Sequence, residues 1–229
     1  DAALFLDTLG LFLSPLVEAA ATPPPSLRIG VSTTPAAITR AEKLDPEVRS
    51  ALERAADVLR AAGHDVRAVE TPYGLDSRAL AARYLGGIRE KALTAPDASL
   101  LERRTRQIAR LGAPFGARAV AWSRRQGEKF GARVHAELDV DVLLTPVMSG
   151  TALPVGRFKG RGGLRTVLGM NAFYPYTAQW NHAGTPAVSL PAGRADDGLP
   201  LAVQLVGRVD DDALLMSVAA QLETGLEGA

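Results

Sequence analysis

The stretch Asn171-Ala-Phe-Tyr-Pro-Tyr-Thr-Ala-Gln-Trp-Asn-His-Ala-Gly-Thr-Pro-Ala-Val-Ser-Leu-Pro-Ala-Gly193 packs aromatics, an Asn, a Gly and a Pro ahead of a short apolar run. That run ends in Pro191-Ala192-Gly193, and a second one follows, Leu201-Ala-Val-Gln-Leu-Val-Gly207. Short apolar runs bounded by Gly and Pro read as buried strands. The polar and aromatic residues before them fall where a strand enters or leaves a sheet, which is where α/β proteins hold ligands.

Working outward, Val140 to Leu144 reads as another strand, closed by Thr145-Pro146. Residues 147–165 are Gly- and Pro-rich without amphipathic period, and so long a loop in a compact domain tends to be functional or disordered. Asp76 to Leu93 and Ser99 to Leu111 read as helices, the latter with a solvated run of Arg103, Arg104, Arg106 and Arg110. Pro114 is expected to start a helix reaching Leu138, weakened by Gly116, Gly127 and Gly131.

Asp45-Pro46-Glu47 is a helix start: Asp caps free N–H groups, Pro suits the first turn and Glu complements the dipole. Val48, Leu52, Ala55, Ala56 and Leu59 follow at helical spacing, and Gly63 closes the helix. Strands at Leu27–Ser32 and Val66–Val69 flank it, with a loop of some helical potential over Thr33–Leu44. This β-α-β unit implies an α/β fold. Residues 1–10 read as a helix ended by Gly10, Leu11–Val17 as apolar without period, and Thr22-Pro-Pro-Pro-Ser26 as a stiff connector. Asp210, Asp211 and Asp212 open a final helix carrying Leu214, Leu215, Val218 and Leu222. The expectation is a single α/β domain over 1–229, with residues 1–26 as leading helix and connector.

A chain of 229 residues suits one large domain. Net charge is +1, which gives no bulk electrostatic case for nucleic acid or an acidic membrane. Cysteine is absent, so disulfides, thiolate metal sites and a Cys nucleophile are excluded. No apolar run nears the roughly 20 residues that span a bilayer, and the expected location is the cytoplasm. Arg far outnumbers Lys, which occurs only at Lys43, Lys91, Lys129 and Lys159, a bias typical of GC-rich bacterial genomes. The chain opens directly in a helical pattern without an initiator Met, as a piece of something longer would.

Of the three histidines, His64 follows a helix end, His135 is expected on a polar helix face, and His182 lies inside the opening stretch. Without spaced partners they make neither a zinc site nor a His-based triad. No phosphate loop, dinucleotide fingerprint or nucleophile elbow is present, so no cofactor or metal is expected.

The succession Val142-Leu-Leu-Thr-Pro146, a loop, Tyr176-Thr177, Asn181-His-Ala-Gly-Thr-Pro-Ala-Val-Ser-Leu-Pro-Ala-Gly193 and Gly198-Leu-Pro-Leu-Ala-Val-Gln-Leu-Val-Gly207 closely resembles the C-terminal half of amidase signature enzymes. Arg28-Ile-Gly-Val31, Asp45-Pro-Glu-Val48 and Ala62-Gly-His-Asp-Val66 agree more loosely. The resemblance is strongest over about 133–224, and the short Leu9-Gly10-Leu11-Phe12 passage departs from the family's longer polar loop. It implies part of a mixed β-sheet flanked by helices. It also implies hydrolysis of carboxamide C–N bonds through an acyl-enzyme, with a Lys acting on a bridging Ser that activates a nucleophilic Ser. Those residues belong to the family's N-terminal half. This chain has no Ser-Ser pair, so no catalytic residue is assigned.

What the resemblance carries over is a substrate-pocket wall. Its residues are Thr145, Pro146, Val147 and Met148, then Phe173, Tyr174, Tyr176, Thr177 and Asn181. The implied partners are a small-molecule amide and an N-terminal amidase half, in the same longer chain or a separate one. Glutamine-selective relatives carry an acid near Tyr174, so a neutral, apolar or aryl amide is expected here. The alternative is a non-catalytic module that binds a small molecule or a protein.

Overall fold

The computed structural model describes residues 1–10, 15–36, 41–74 and 76–228. The expectations for Leu11–Ser14 and Ala37–Arg40 lie outside the described residues. The order of elements is α1 (Ala2–Thr8), α2 (Leu16–Ala21), β1 (Arg28–Val31), α3 (Pro46–Ala61), β2 (Asp65–Ala68), α4 (Ser77–Leu93), α5 (Arg103–Leu111), α6 (Ala117–Leu138), β3 (Val142–Pro146), α7 (Gly163–Phe173), α8 (Ala178–Ala183), β4 (Ala187–Arg194), β5 (Pro200–Val206) and α9 (Asp212–Glu227).

The strands form one mixed sheet in the order β2-β1-β3-β5-β4. β2, β1 and β3 are parallel, while β5 runs antiparallel to both β3 and β4. The two apolar runs of the opening stretch are thus the arms of one antiparallel pair. Two-residue periodicity sorts their side chains. Val142, Leu144, Val203 and Leu205 face α3 and α9, packing with Leu52, Leu59, Val218 and Leu222. Leu143 and Val206 face the other way, with Phe130 and Val134 of α6 and Trp180 of α8. The result is a sheet between two helical layers.

α3 begins as its sequence dictates: the Asp45 carboxylate accepts the Glu47 N–H at 2.8 Å. Its apolar stripe is fully buried, with Ala51, Ala55 and Leu59 at 0% exposure.

Several expectations need correction. β3 does not stop before Thr145 but continues through Pro146, because both pair with β5. β4 likewise runs on to Arg194, with a register shift between Pro191 and Arg194. Pro114 does not start α6; Gly116 is its N-terminal flanking residue. Leu16–Ala21 is helical, anchored where the Asp7 carboxylate accepts the N–H groups of Leu16 and Val17. Before its strands the opening stretch holds the end of α7 and all of α8, neither of which is expected from the sequence pattern. His135 is not on a polar face but buried against Trp180.

Gly127 and Gly131 serve packing. A Cβ on Gly127 would stand 1.9 Å from the His182 carbonyl oxygen, and one on Gly131 would stand 3.1 Å from the Ala183 Cβ. α6 therefore lies directly on α8, and the glycines that lower its propensity are what allow that approach.

Candidate functional site

Between α7 and α8 the chain makes a four-residue corner, Tyr174-Pro175-Tyr176-Thr177, and the structure fixes it from several sides. The Tyr174 N–H donates to the Met170 carbonyl at 2.9 Å, ending α7. The Pro175 carbonyl accepts the Ala36 N–H, and the Tyr176 hydroxyl donates to the Thr33 carbonyl at 3.3 Å. Thr177 flanks α8, whose N–H groups at Trp180 and Asn181 return to its carbonyl. Tyr176 is fully buried, and that burial raises its phenol above the ordinary value.

Beneath the corner sits Gln204, at the centre of β5. Its side-chain amide donates to the Tyr176 carbonyl at 3.0 Å and to the Thr145 hydroxyl at 3.1 Å. Thr145 is its register partner on β3, and its hydroxyl donates in turn to the Pro146 carbonyl at 3.0 Å. Three buried polar groups on one sheet face are thereby satisfied, as a low-dielectric interior requires.

The residues expected to form a pocket wall separate into groups. Tyr174, Thr177 and Asn181 come together on the wall of one cleft, about 660 Å³ in volume, opposite Leu80, Tyr84 and Ile88 of α4. Thr145, Pro146, Phe173 and Tyr176 are buried below that surface. Val147 is half-buried and Met148 exposed on the loop after β3, and neither lines the cleft. That loop is nonetheless tied to the corner, since the Ser149 N–H donates to the Phe173 carbonyl at 2.9 Å.

A second, nearly wholly apolar cavity of about 200 Å³ adjoins the cleft. Leu80, Tyr84, Tyr174 and Ala178 line both spaces; Leu164, Val167 and Leu168 of α7 extend the smaller one. Burial raises the Tyr174 phenol, so the hydroxyl stays protonated at neutral pH and can donate.

His182 also lines the cleft. It is 3% exposed, and its Nδ1 has no hydrogen-bond partner among the described residues. Burial first, then the nearby Arg83, lowers its pKa below the ordinary histidine value. The ring is therefore neutral at pH 7. Among the described residues no group of three or more His, Cys, Asp or Glu could hold a metal ion.

Sequence reasoning missed Gln204 and the whole α4 side of the cleft. A lone amide inside an apolar strand was the available signal for Gln204. The contribution of α4 has no local signal, because only the tertiary fold brings it opposite α8.

The sequence profile of the Amidase family matches residues 13–216. The chain belongs to the amidase family. AmiB2 of Mycobacterium tuberculosis, an amidase by name, is 36% identical over 232 residues, covering 98% of this chain and 49% of its own length. The 6-aminohexanoate-cyclic-dimer hydrolase of a Pseudomonas species is 31% identical, covering 93% of this chain and 46% of its own. A solved structure of 6-aminohexanoate cyclic dimer hydrolase superposes with a TM-score of 0.73 at 26% identity, over 94% of this chain and 48% of that one. A peptide amidase from Stenotrophomonas maltophilia shares the fold at a TM-score of 0.66 and 20% identity. The chain thus spans about half the length of the relatives it matches. The mixed sheet flanked by helices is the fold of this amidase-family portion, as expected. Among the described residues no helix is long and apolar enough to cross a membrane.

Proposed function

We propose that this chain supplies the substrate-facing wall of an amidase that cleaves carboxamide C–N bonds through a Ser-Ser-Lys acyl-enzyme. The two serines and the lysine lie outside these 229 residues, in an N-terminal half carried by the same longer chain or by a separate one. The observation that carries the reading is the convergence of Tyr174, Thr177 and Asn181 on one cleft, over the Thr145–Gln204–Tyr176 network. A rigid floor under an aromatic and polar rim suits the orientation of a small molecule. The relatives' names point to the same bond type: one is named as an amidase, another as a hydrolase of a cyclic dimer of 6-aminohexanoate.

In this reading Tyr174 offers apolar area and a hydroxyl donor, while Asn181 offers both a donor and an acceptor to an amide. No acid lines the cleft, which disfavours an amine-bearing substrate. Val147 and Met148 contribute through the loop that holds Phe173 in place.

Purification of the natural protein with an antibody against this chain, followed by peptide mass spectrometry, tests the proposal. A Ser-Ser-Lys sequence is expected in the same polypeptide or in a co-purifying one. A native species of 24.1 kDa without a partner would overturn it and favour a non-catalytic binding module.

A further inference from the structure

α4 presents two parallel ridges to the cleft. Leu80, Tyr84 and Ile88 form one at four-residue spacing, and Arg83, Gly87 and Lys91 form the other. Residues four apart stack on one face of a helix, about 6 Å from each other along the axis. The second ridge is therefore cation, gap, cation: a Cβ at Gly87 would meet nothing within 4 Å. Two long flexible side chains flank that gap.

Arg83 and Lys91 form no salt bridge among the described residues, although Arg78, Arg104 and Arg133 elsewhere on these helices do. Asp76, whose charge also acts on His182, is held by Arg78 and caps α4. Among the described residues no carboxylate lines the cleft. On the facing wall stands the buried His182, whose Nδ1 has no hydrogen-bond partner among the described residues. Behind Tyr84 and Tyr174 the space continues into the apolar cavity against α7.

We propose that the α4–α8 cleft binds a small molecule joining a carboxylate to a straight hydrocarbon or aryl tail. The carboxylate sits over Gly87 between Arg83 and Lys91, and the tail enters the apolar cavity past Leu80 and Ala178. Two unpaired cations beside an acid-free wall favour an anion over a neutral or cationic head. A cavity walled by Leu and Val side chains favours hydrocarbon over polar groups. The inference rests on the proposed amidase reading only for its last step, in which such a carboxylate-bearing compound is part of the amide substrate. The binding itself is independent of turnover.

The test is calorimetric titration of the 229-residue chain with octanoate, octanamide and octylammonium. Octanoate is expected to bind at least about fivefold tighter than octanamide, and octylammonium not detectably. The double variant Arg83→Gln/Lys91→Gln should bring octanoate down to octanamide's affinity. Gly87→Leu fills the gap and should abolish binding of both while leaving the melting temperature unchanged or higher, since Leu replaces a helical Gly. Equal affinity for octanoate and octanamide, or undiminished binding by a folded Gly87→Leu variant, would overturn the proposal. Absence of saturable binding by the folded chain would also overturn it. Intact octanoate binding together with no amide turnover by the chain joined to a Ser-Ser-Lys half would instead count against the amidase reading.

Discussion

Gln204 stands in the middle of an apolar strand, and its side-chain amide joins β3 to the corner that bears Tyr174 and Thr177. Replacing it with Leu keeps the bulk but strands the Tyr176 carbonyl in the interior. An unsatisfied buried acceptor costs about 1–3 kcal/mol. Gln204→Leu should therefore lower thermal stability by several degrees, measurable by calorimetry. In an active assembly it should also raise KM more than it lowers kcat. His135 makes a second residue-level prediction. Its ring is buried, and among the described residues neither nitrogen has a hydrogen-bond partner of good geometry. Burial first, and then Arg208, lower its folded pKa below 6.5, with Asp211 and Gly207 opposing in part. The unfolded chain thus takes up a proton that the folded chain refuses, so stability is full above the unfolded pKa and falls as pH drops below it. His135→Gln should flatten the loss of stability between about pH 6.5 and 5 relative to the parent, as read by denaturant titration at several pH values. An unchanged slope would show that His135 carries none of it.

At the scale of elements, α6 and α8 meet through glycine. Gly127→Ala would place a methyl group 1.9 Å from the His182 carbonyl oxygen. α8 would have to move away, at an overpacking cost of about 1–3 kcal/mol or more, although Ala has the higher helix propensity. A stability equal to or above the parent's would contradict the close packing described here. The same contact explains what the sequence could and could not disclose. α3 was legible because its cap and its apolar stripe are local. The strands were legible because β3 and β5 are buried on both faces and read as unbroken apolar runs. α8 was not, because its six residues include Gln179, Trp180, His182 and Ala183, all buried. A short helix enclosed on several sides shows no amphipathic period. The glycines of α6 read as weak points because nothing local in the sequence says that another backbone rests on them. Of the residues expected from the family resemblance, Tyr174, Thr177 and Asn181 share the candidate cleft, whereas Arg83, Gly87 and Lys91 become its neighbours only through the packing of α4 beside α8.

At the scale of the whole molecule, among the described residues β4 pairs only with β5 and leaves its outer edge unpaired, as β2 does beyond β1. Open strand edges template association. The isolated chain is expected to self-associate with rising concentration in sedimentation velocity; a monodisperse monomer with cooperative melting would count against it. The family match, the two-faced sheet and the acid-free cleft belong to one account, in which this chain shapes an amide pocket and a complementary portion performs the chemistry. The most direct measurement is hydrolysis of an aryl amide by the purified chain, alone and after fusion to the portion of AmiB2 that this chain does not match. The account predicts no turnover from the chain alone and turnover from the folded fusion. Turnover by the chain alone, or an inactive but folded fusion, would contradict it.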